Sequence, residues 1–282
     1  MKLRSNVKTM LAAVAVTCSL GAIAAPVGLT SPVLTGPGTT YLPCPLPTVC
    51  FNLSPTPTDV SDALNGAGNV ELNRFGGFPT PLTPVTTLSG TLGPAGPAIT
   101  LSSLVLSDWT NNSNALVRQY VTAAAASASL TLTAAQLGTI ETAFLTPTPL
   151  LANLLFPAGM EPWRAVSDPN VSYVQYEDST VSIGLDGFLD ASTFLSFLLG
   201  KPLGPGLGAS EVVKVTYNGQ TDYKYGFKAM ATGYASNNGA PMTGVYDLKI
   251  PEPTSLALLG VALAGLAATS RRKSNKATST IC

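Results

Sequence analysis

Two uncharged apolar stretches, Met10–Ile23 and Thr254–Thr269, bracket the chain and confine globular folding to residues 25–250. Lys2, Arg4 and Lys8 precede the first stretch, and Ala22-Ile23-Ala24 closes it. A basic start, a short apolar run and small residues at the cleavage positions Ala22 and Ala24 read as a secretory signal peptide, residues 1–24. The run is too short to anchor stably in a hydrocarbon core of about 30 Å. Cys18 follows Thr17, a poor context for lipoprotein acylation, and reads as apolar filler.

The second stretch has a different frame. Pro251-Glu252-Pro253 stands before it, and Arg271, Arg272 and Lys273 stand behind it. Prolines remove backbone donors and restrict their predecessors, so they break the chain ahead of the apolar helix. A helix over Thr254–Thr269 is just long enough to cross a thin bilayer. The basic cluster holds its own end on the cytoplasmic side. The reading is a single C-terminal transmembrane helix with an exposed tripeptide in front and a cytoplasmic tail, 274–282, behind.

This arrangement resembles the PEP-CTERM sorting signal of Gram-negative bacteria, carried here by Pro251-Glu252-Pro253, Thr254–Thr269 and Arg271-Arg272-Lys273. The resemblance implies export by the Sec machinery and recognition by exosortase, a membrane-embedded enzyme. It also implies a place at the surface or in the envelope of a bacterium that makes extracellular polysaccharide. It covers only about 25 residues. The extension Ser274–Cys282 is longer than such tails usually are, and nothing in the resemblance explains Cys282.

Composition narrows the chemistry of the middle. The chain has no histidine, which excludes Ser-His-Asp and Cys-His catalysis, histidine-ligated zinc or haem, and histidine pH switching. Its 15 basic and 15 acidic residues cancel, which disfavours a dedicated nucleic-acid binder. The neutral total is itself an average. Seven of the basic residues lie in the two ends, and residues 25–250 carry 8 basic against 14 acidic, a net charge of −6. An acidic exported part disfavours anionic polymers as direct ligands.

Residues 26–100 hold 13 Pro and 13 Thr and only four charges. Prolines at 43, 45, 47, 55 and 57 favour extended runs, with short strands expected at Pro84–Leu92 and Ala98–Leu106. Cys44 and Cys50 lie here, six positions apart. In an oxidising compartment they read as a local disulfide, contributing on the order of 2 kcal/mol.

Downstream, the Ala-rich Asn114–Ala128 predicts a helix capped from Asn112–Asn114, with Leu116, Tyr120 and Ala124 on one face. Thr133-Ala-Ala-Gln136 is a capping box opening a second helix to about Leu145. Val171–Tyr176 and Thr180–Asp186 read as a hairpin, and Asp190–Leu199 as a short helix. Glu211–Tyr217 and Gln220–Lys228 flank Asn218-Gly219, the preferred type I′ turn. A last strand, Met242–Ile250, runs straight into Pro251. The expected fold class is α+β. It consists mostly of antiparallel hairpins with a few short helices, preceded by the Pro/Thr-rich segment 25–106 and followed by the membrane helix. The exported domain is expected over 107–250, and the sorting signal over 251–273.

Catalytic signatures are missing. There is no Gly-x-Ser-x-Gly and no Walker-type glycine loop. Asp168, Glu177, Asp178, Asp186 and Asp190 are the clustered carboxylates, and Asp186 with Asp190 is the pair that a glycosidase would use. Turn and cap roles explain them more simply. Asp168, Asn170, Glu177 and Asp178 offer oxygen ligands for a structural calcium ion, without an EF-hand spacing. Trp109, Trp163 and the tyrosines at 173, 176, 217, 223, 225, 234 and 246 are candidate sugar-stacking residues, against the core role that strand tyrosines usually have. Thr-x-Thr occurs at 56–58, 131–133 and 146–148, with no regular repeat that would suit ice binding. The sequence thus points to a non-enzymatic surface or matrix protein with no cofactor, whose partners beyond the export machinery are polysaccharide or other surface proteins. The alternative is an exported carboxylate-dependent polysaccharide hydrolase.

Overall fold

Alternation of apolar and polar residues dictates most of the architecture. In Val213–Tyr217, Val213, Val215 and Tyr217 are buried while Lys214 and Thr216 face outward. Thr87–Leu92 and Ala98–Ser102 alternate in the same way. Strands of this kind must lay one face on an apolar layer, and here two sheets share one.

The computed structural model describes residues 27–43, 49–65, 68–72, 85–94, 96–146, 161–177, 180–188, 190–228, 230–231 and 242–251. Among them it is a mixed α and β molecule with thirteen strands in an antiparallel arrangement and four α-helices.

One sheet runs β11 (Gln220–Lys224), β10 (Val213–Tyr217), β6 (Ala98–Ser102), β5 (Thr87–Leu92), β1 (Val27–Thr35). The other centres on β7 (Asn170–Glu177) and β8 (Thr180–Phe188). β13 (Met242–Pro251) pairs along nearly all of β8, and β12 (Met230–Ala231) follows it. β4 (Asn69–Glu71) and β1 share the remaining edge of β7, one at each end. β2 (Thr39–Pro43) and β3 (Val49–Asn52) continue from β4, and β9 (Ala209–Ser210) meets the end of β8. β1 joins the sheets: Val27 and Gly28 pair with β7, and Leu29–Thr35 with β5. Its register shifts after Thr30, where Ser31 has a positive φ of 50°.

The shared core holds Leu88, Leu101, Val171, Ile183, Leu185 and Val213, closed at one side by α1 (Pro57–Asn65) through Val60, Ala63 and Leu64. The Pro/Thr-rich stretch therefore does not stand apart from residues 107–250. Its strands β5 and β6 build the first sheet, β2, β3 and β4 the second, and β1 takes part in both.

A second core lies under the remaining helices, α2 (Leu106–Ser127), α3 (Ala134–Leu145) and α4 (Ser192–Leu198), with a 3₁₀ turn at Pro162–Val166. Trp109, Tyr120 and Phe144 meet edge-to-face or tilted at 5.0–6.0 Å between ring centres. The α2 path breaks at 111–114, where Asn112, Ser113 and Asn114 all take positive φ, and the continuous helix follows. α3 starts as its capping box requires, with Gln136 N donating to Thr133 Oγ1. Asn218 and Gly219 have φ of 50° and 73°, the geometry of a type I′ turn. The strand after it stops at Lys224, short of the expected Lys228. Tyr225 and Phe227 leave the sheet and pack against Tyr120.

No helix among the described residues is long and apolar enough to cross a membrane. The two apolar end stretches, including Ala22, Ala24 and the expected C-terminal span, lie outside those residues.

Candidate functional site

β13 delivers the chain to its C-terminal segment. Tyr246 is buried, Leu248 and Ile250 pack against the shared core, and Asp247 and Lys249 point away. Lys249 Nζ lies 3.1 Å from Asp247 and donates to Ser182 Oγ at 2.8 Å, clamping the strand end to β8. The ladder continues through Ile250 opposite Val181 to Pro251 opposite Thr180. Proline supplies no N–H, so a strand end is where it fits. No linker separates the folded sheet from the tripeptide that begins at Pro251. Glu252, Pro253, Arg271, Arg272 and Lys273 lie outside the described residues. So does Cys44. Cys50 stands on β3 opposite Leu42, and its side chain is likewise not described.

The candidate carboxylates divide between unlike environments. Asp186 sits on β8 and accepts from Asn69 Nδ2 and Ser172 Oγ, both at 2.6 Å. Burial pushes its pKa up, against these two hydrogen bonds. Asp190 is exposed and accepts from Ser192 N at 2.9 Å at the start of α4; the Ser192 side chain first, and then this backbone N–H, hold its pKa below the usual range. β8 stays extended through Phe188, so Asp186 lies within the strand and not in a turn. One acid is bound inside the sheet and the other caps a helix. An open groove beside α4 is lined by Asp190, Thr193, Phe197, Lys201 and Pro205, and Asp186 takes no part in it.

The oxygen-rich residues considered for calcium are also spread out. Asn170 opens β7 and Glu177 closes it, roughly 23 Å apart for an extended strand of that length. Asp178 lies outside the described residues. Among the described residues no three acidic or cysteine side chains are grouped as metal ligands.

What the sequence did not single out is Glu211. It is buried between β9 and β10, and its Oε2 accepts from Asn170 N at 2.9 Å and Asn170 Nδ2 at 3.3 Å. Burial drives its pKa well above the ordinary value, and the nearby charges of Asp168 and Glu71 push the same way. Nothing local marks it, because these neighbours come from two separated parts of the chain, Glu71 and 168–170. A similar buried acid, Asp108, is compensated: Lys214 Nζ and Tyr223 OH each donate to its Oδ1 at 2.8 Å.

The aromatic candidates are mostly interior. Trp109, Trp163, Tyr217 and Tyr246 are buried. Tyr173, Tyr176, Tyr223 and Tyr225 are partly buried, and Tyr234 lies outside the described residues. The Thr-x-Thr runs sit at helix ends: Thr56 and Thr58 at the start of α1, and Thr133 capping α3. An ordered hydroxyl array occurs elsewhere. Across the solvent face of the first sheet, Ser89, Thr100, Thr216 and Thr221 pair in register on four successive strands. Thr30 and Thr91 form a second pair beside them, Oγ1 to Oγ1 at 2.7 Å.

No curated protein and no solved structure matches the chain. A family model does match one segment: residues 249–273 fit the PEP-CTERM protein-sorting motif. The match begins inside β13 and takes in the tripeptide, the apolar stretch and the basic cluster. Residues 249–273 thus carry a PEP-CTERM protein-sorting motif, which implies export, passage through the membrane and processing by exosortase.

Proposed function

We propose that the protein is a non-enzymatic component of the cell surface or extracellular matrix, delivered by its sorting motif and held in a neutral polysaccharide layer. The observation that carries this reading is the hydroxyl face of the first sheet. Ser89, Thr100, Thr216 and Thr221 present partly or fully exposed, uncharged hydroxyls across four strands, roughly 4.8 Å from one strand to the next. Hydroxyls donate and accept hydrogen bonds alike, which suits a polymer that is itself hydroxyl-rich. The net charge of −6 over residues 25–250 turns anionic polymers away.

The test is retention of the exported protein on the producing strain's own neutral exopolysaccharide, by co-sedimentation. Replacing Thr100 and Thr216 together by Lys is expected to weaken retention about tenfold, a loss of about 1.4 kcal/mol. Thermal melts of the double variant should stay close to the parent. Retention unchanged by a pair of charges in the centre of the face would sink the reading.

A further inference from the structure

The register of four adjacent strands puts the entry and the exit of the domain at one end. β1 begins at Val27, one residue before Gly28, and these pair with Tyr176 and Gln175 at the end of β7. Glu177 pairs with Thr180 across the β7–β8 connection. Thr180 pairs with Pro251, the last residue of β13. The strands lie in the order β1, β7, β8, β13, so three inter-strand steps, about 14 Å, separate the first residue from the last.

Chain length then fixes which end meets the membrane. The N-terminal apolar stretch ends at Ile23, four residues before Val27, and the C-terminal one starts at Thr254, three after Pro251. Even fully extended, these tethers reach only about 10–14 Å. β8 alone, with nine residues, is roughly 30 Å long. Neither tether can reach the opposite end of the sheet, where β8 leads toward α4 and the helical layer.

We propose that the end formed by Val27, Tyr176, Glu177, Thr180 and Pro251 is the membrane-facing surface of the domain, and that the embedded enzyme which processes the tail docks against it. The proposal rests on the sorting reading and adds to it: the enzyme meets a folded sheet end as well as a linear peptide. Its side chains argue for a protein partner over lipid. Val27 is 38% exposed, Glu177 is acidic, and none of the five is basic, so anionic headgroups gain nothing there.

The test is insertional, in the full chain, in cells that carry the processing enzyme. A small folded domain is placed between residues 178 and 179, which join β7 to β8. The same domain is placed in the 129–131 loop between α2 and α3, in the helical layer. Tail processing is followed by immunoblot and folding by protease resistance. The first insertion is expected to slow processing by about tenfold or more, and the second to leave it unchanged. A flexible spacer of about 20 residues between Ile250 and Pro251, which spans roughly 25 Å, should fail to restore processing of the first variant, because it frees the peptide and leaves the docking face covered. Equal processing of the two insertions, or full rescue by the spacer, overturns the proposal. The sorting reading fails separately, if changing Pro251-Glu252-Pro253 to three alanines leaves processing of the otherwise native chain intact.

Discussion

Glu211 is the side chain that the interior tolerates least easily. Its carboxyl is buried, held by Asn170 and surrounded by the acidic fields of Asp168 and Glu71. The folded state therefore binds its proton more tightly than the unfolded chain does. A group of this kind stabilises fully below the ordinary glutamate value of about 4.3, and the contribution is lost as pH rises through the raised folded value. Glu211→Gln keeps an acceptor for Asn170 N and removes the titration. Thermal melts should place the variant above the parent at pH 8, by roughly 2–4 °C for each kcal/mol recovered, with the two converging near pH 4. Glu211→Ala leaves the buried Asn170 N–H without its acceptor and should be about 1–3 kcal/mol less stable at pH 4, with the deficit shrinking toward pH 8 because it too removes the titration. A variant ranking independent of pH would contradict the burial argument.

At the level of elements, what the sequence made legible was what is encoded locally. Asn218-Gly219 announces its hairpin because type I′ geometry needs positive φ at two successive residues. Thr133 and Gln136 announce α3 because their reciprocal hydrogen bonds span three residues. The sorting motif was legible because it is linear. α1 uses a grammar like that of α3 and was hidden by Pro57, which was read as part of an extended run. Thr56 N donates to Asp59 Oδ2 at 2.8 Å and Asp59 N to Thr56 Oγ1 at 3.2 Å, with proline in the first helical position. Thr56→Ala should cost about 1 kcal/mol in denaturant unfolding, and Thr56→Ser almost nothing. Equal losses would mean that the cap does not hold the helix. The Glu211 site was not legible, because its surroundings depend on Glu71 of β4 and on Asp168 and Asn170 at the start of β7, which arrive from distant parts of the chain. The same holds for β11, whose alternating pattern runs on past Lys224 while Tyr225 and Phe227 are drawn off by Tyr120.

Across the whole molecule, the sheet around β7 and β8 is completed by the last strand of the chain. Residues 25–241, refolded from denaturant, should be aggregation-prone and protease-sensitive beside residues 25–251. Equal protease resistance would show that β13 is dispensable. The ladder from Met242 to Pro251 is the longest pairing among the described residues, and it fills the edge of β8 along nearly its full length. Until those ten residues have left the export channel, that edge has unmet donors and acceptors on strands already able to fold. The chain therefore crosses the membrane with a timed vulnerability. A nascent copy paused before residues 242–251 have emerged exposes an open β-edge beside other paused copies, and emergence of those ten residues removes it.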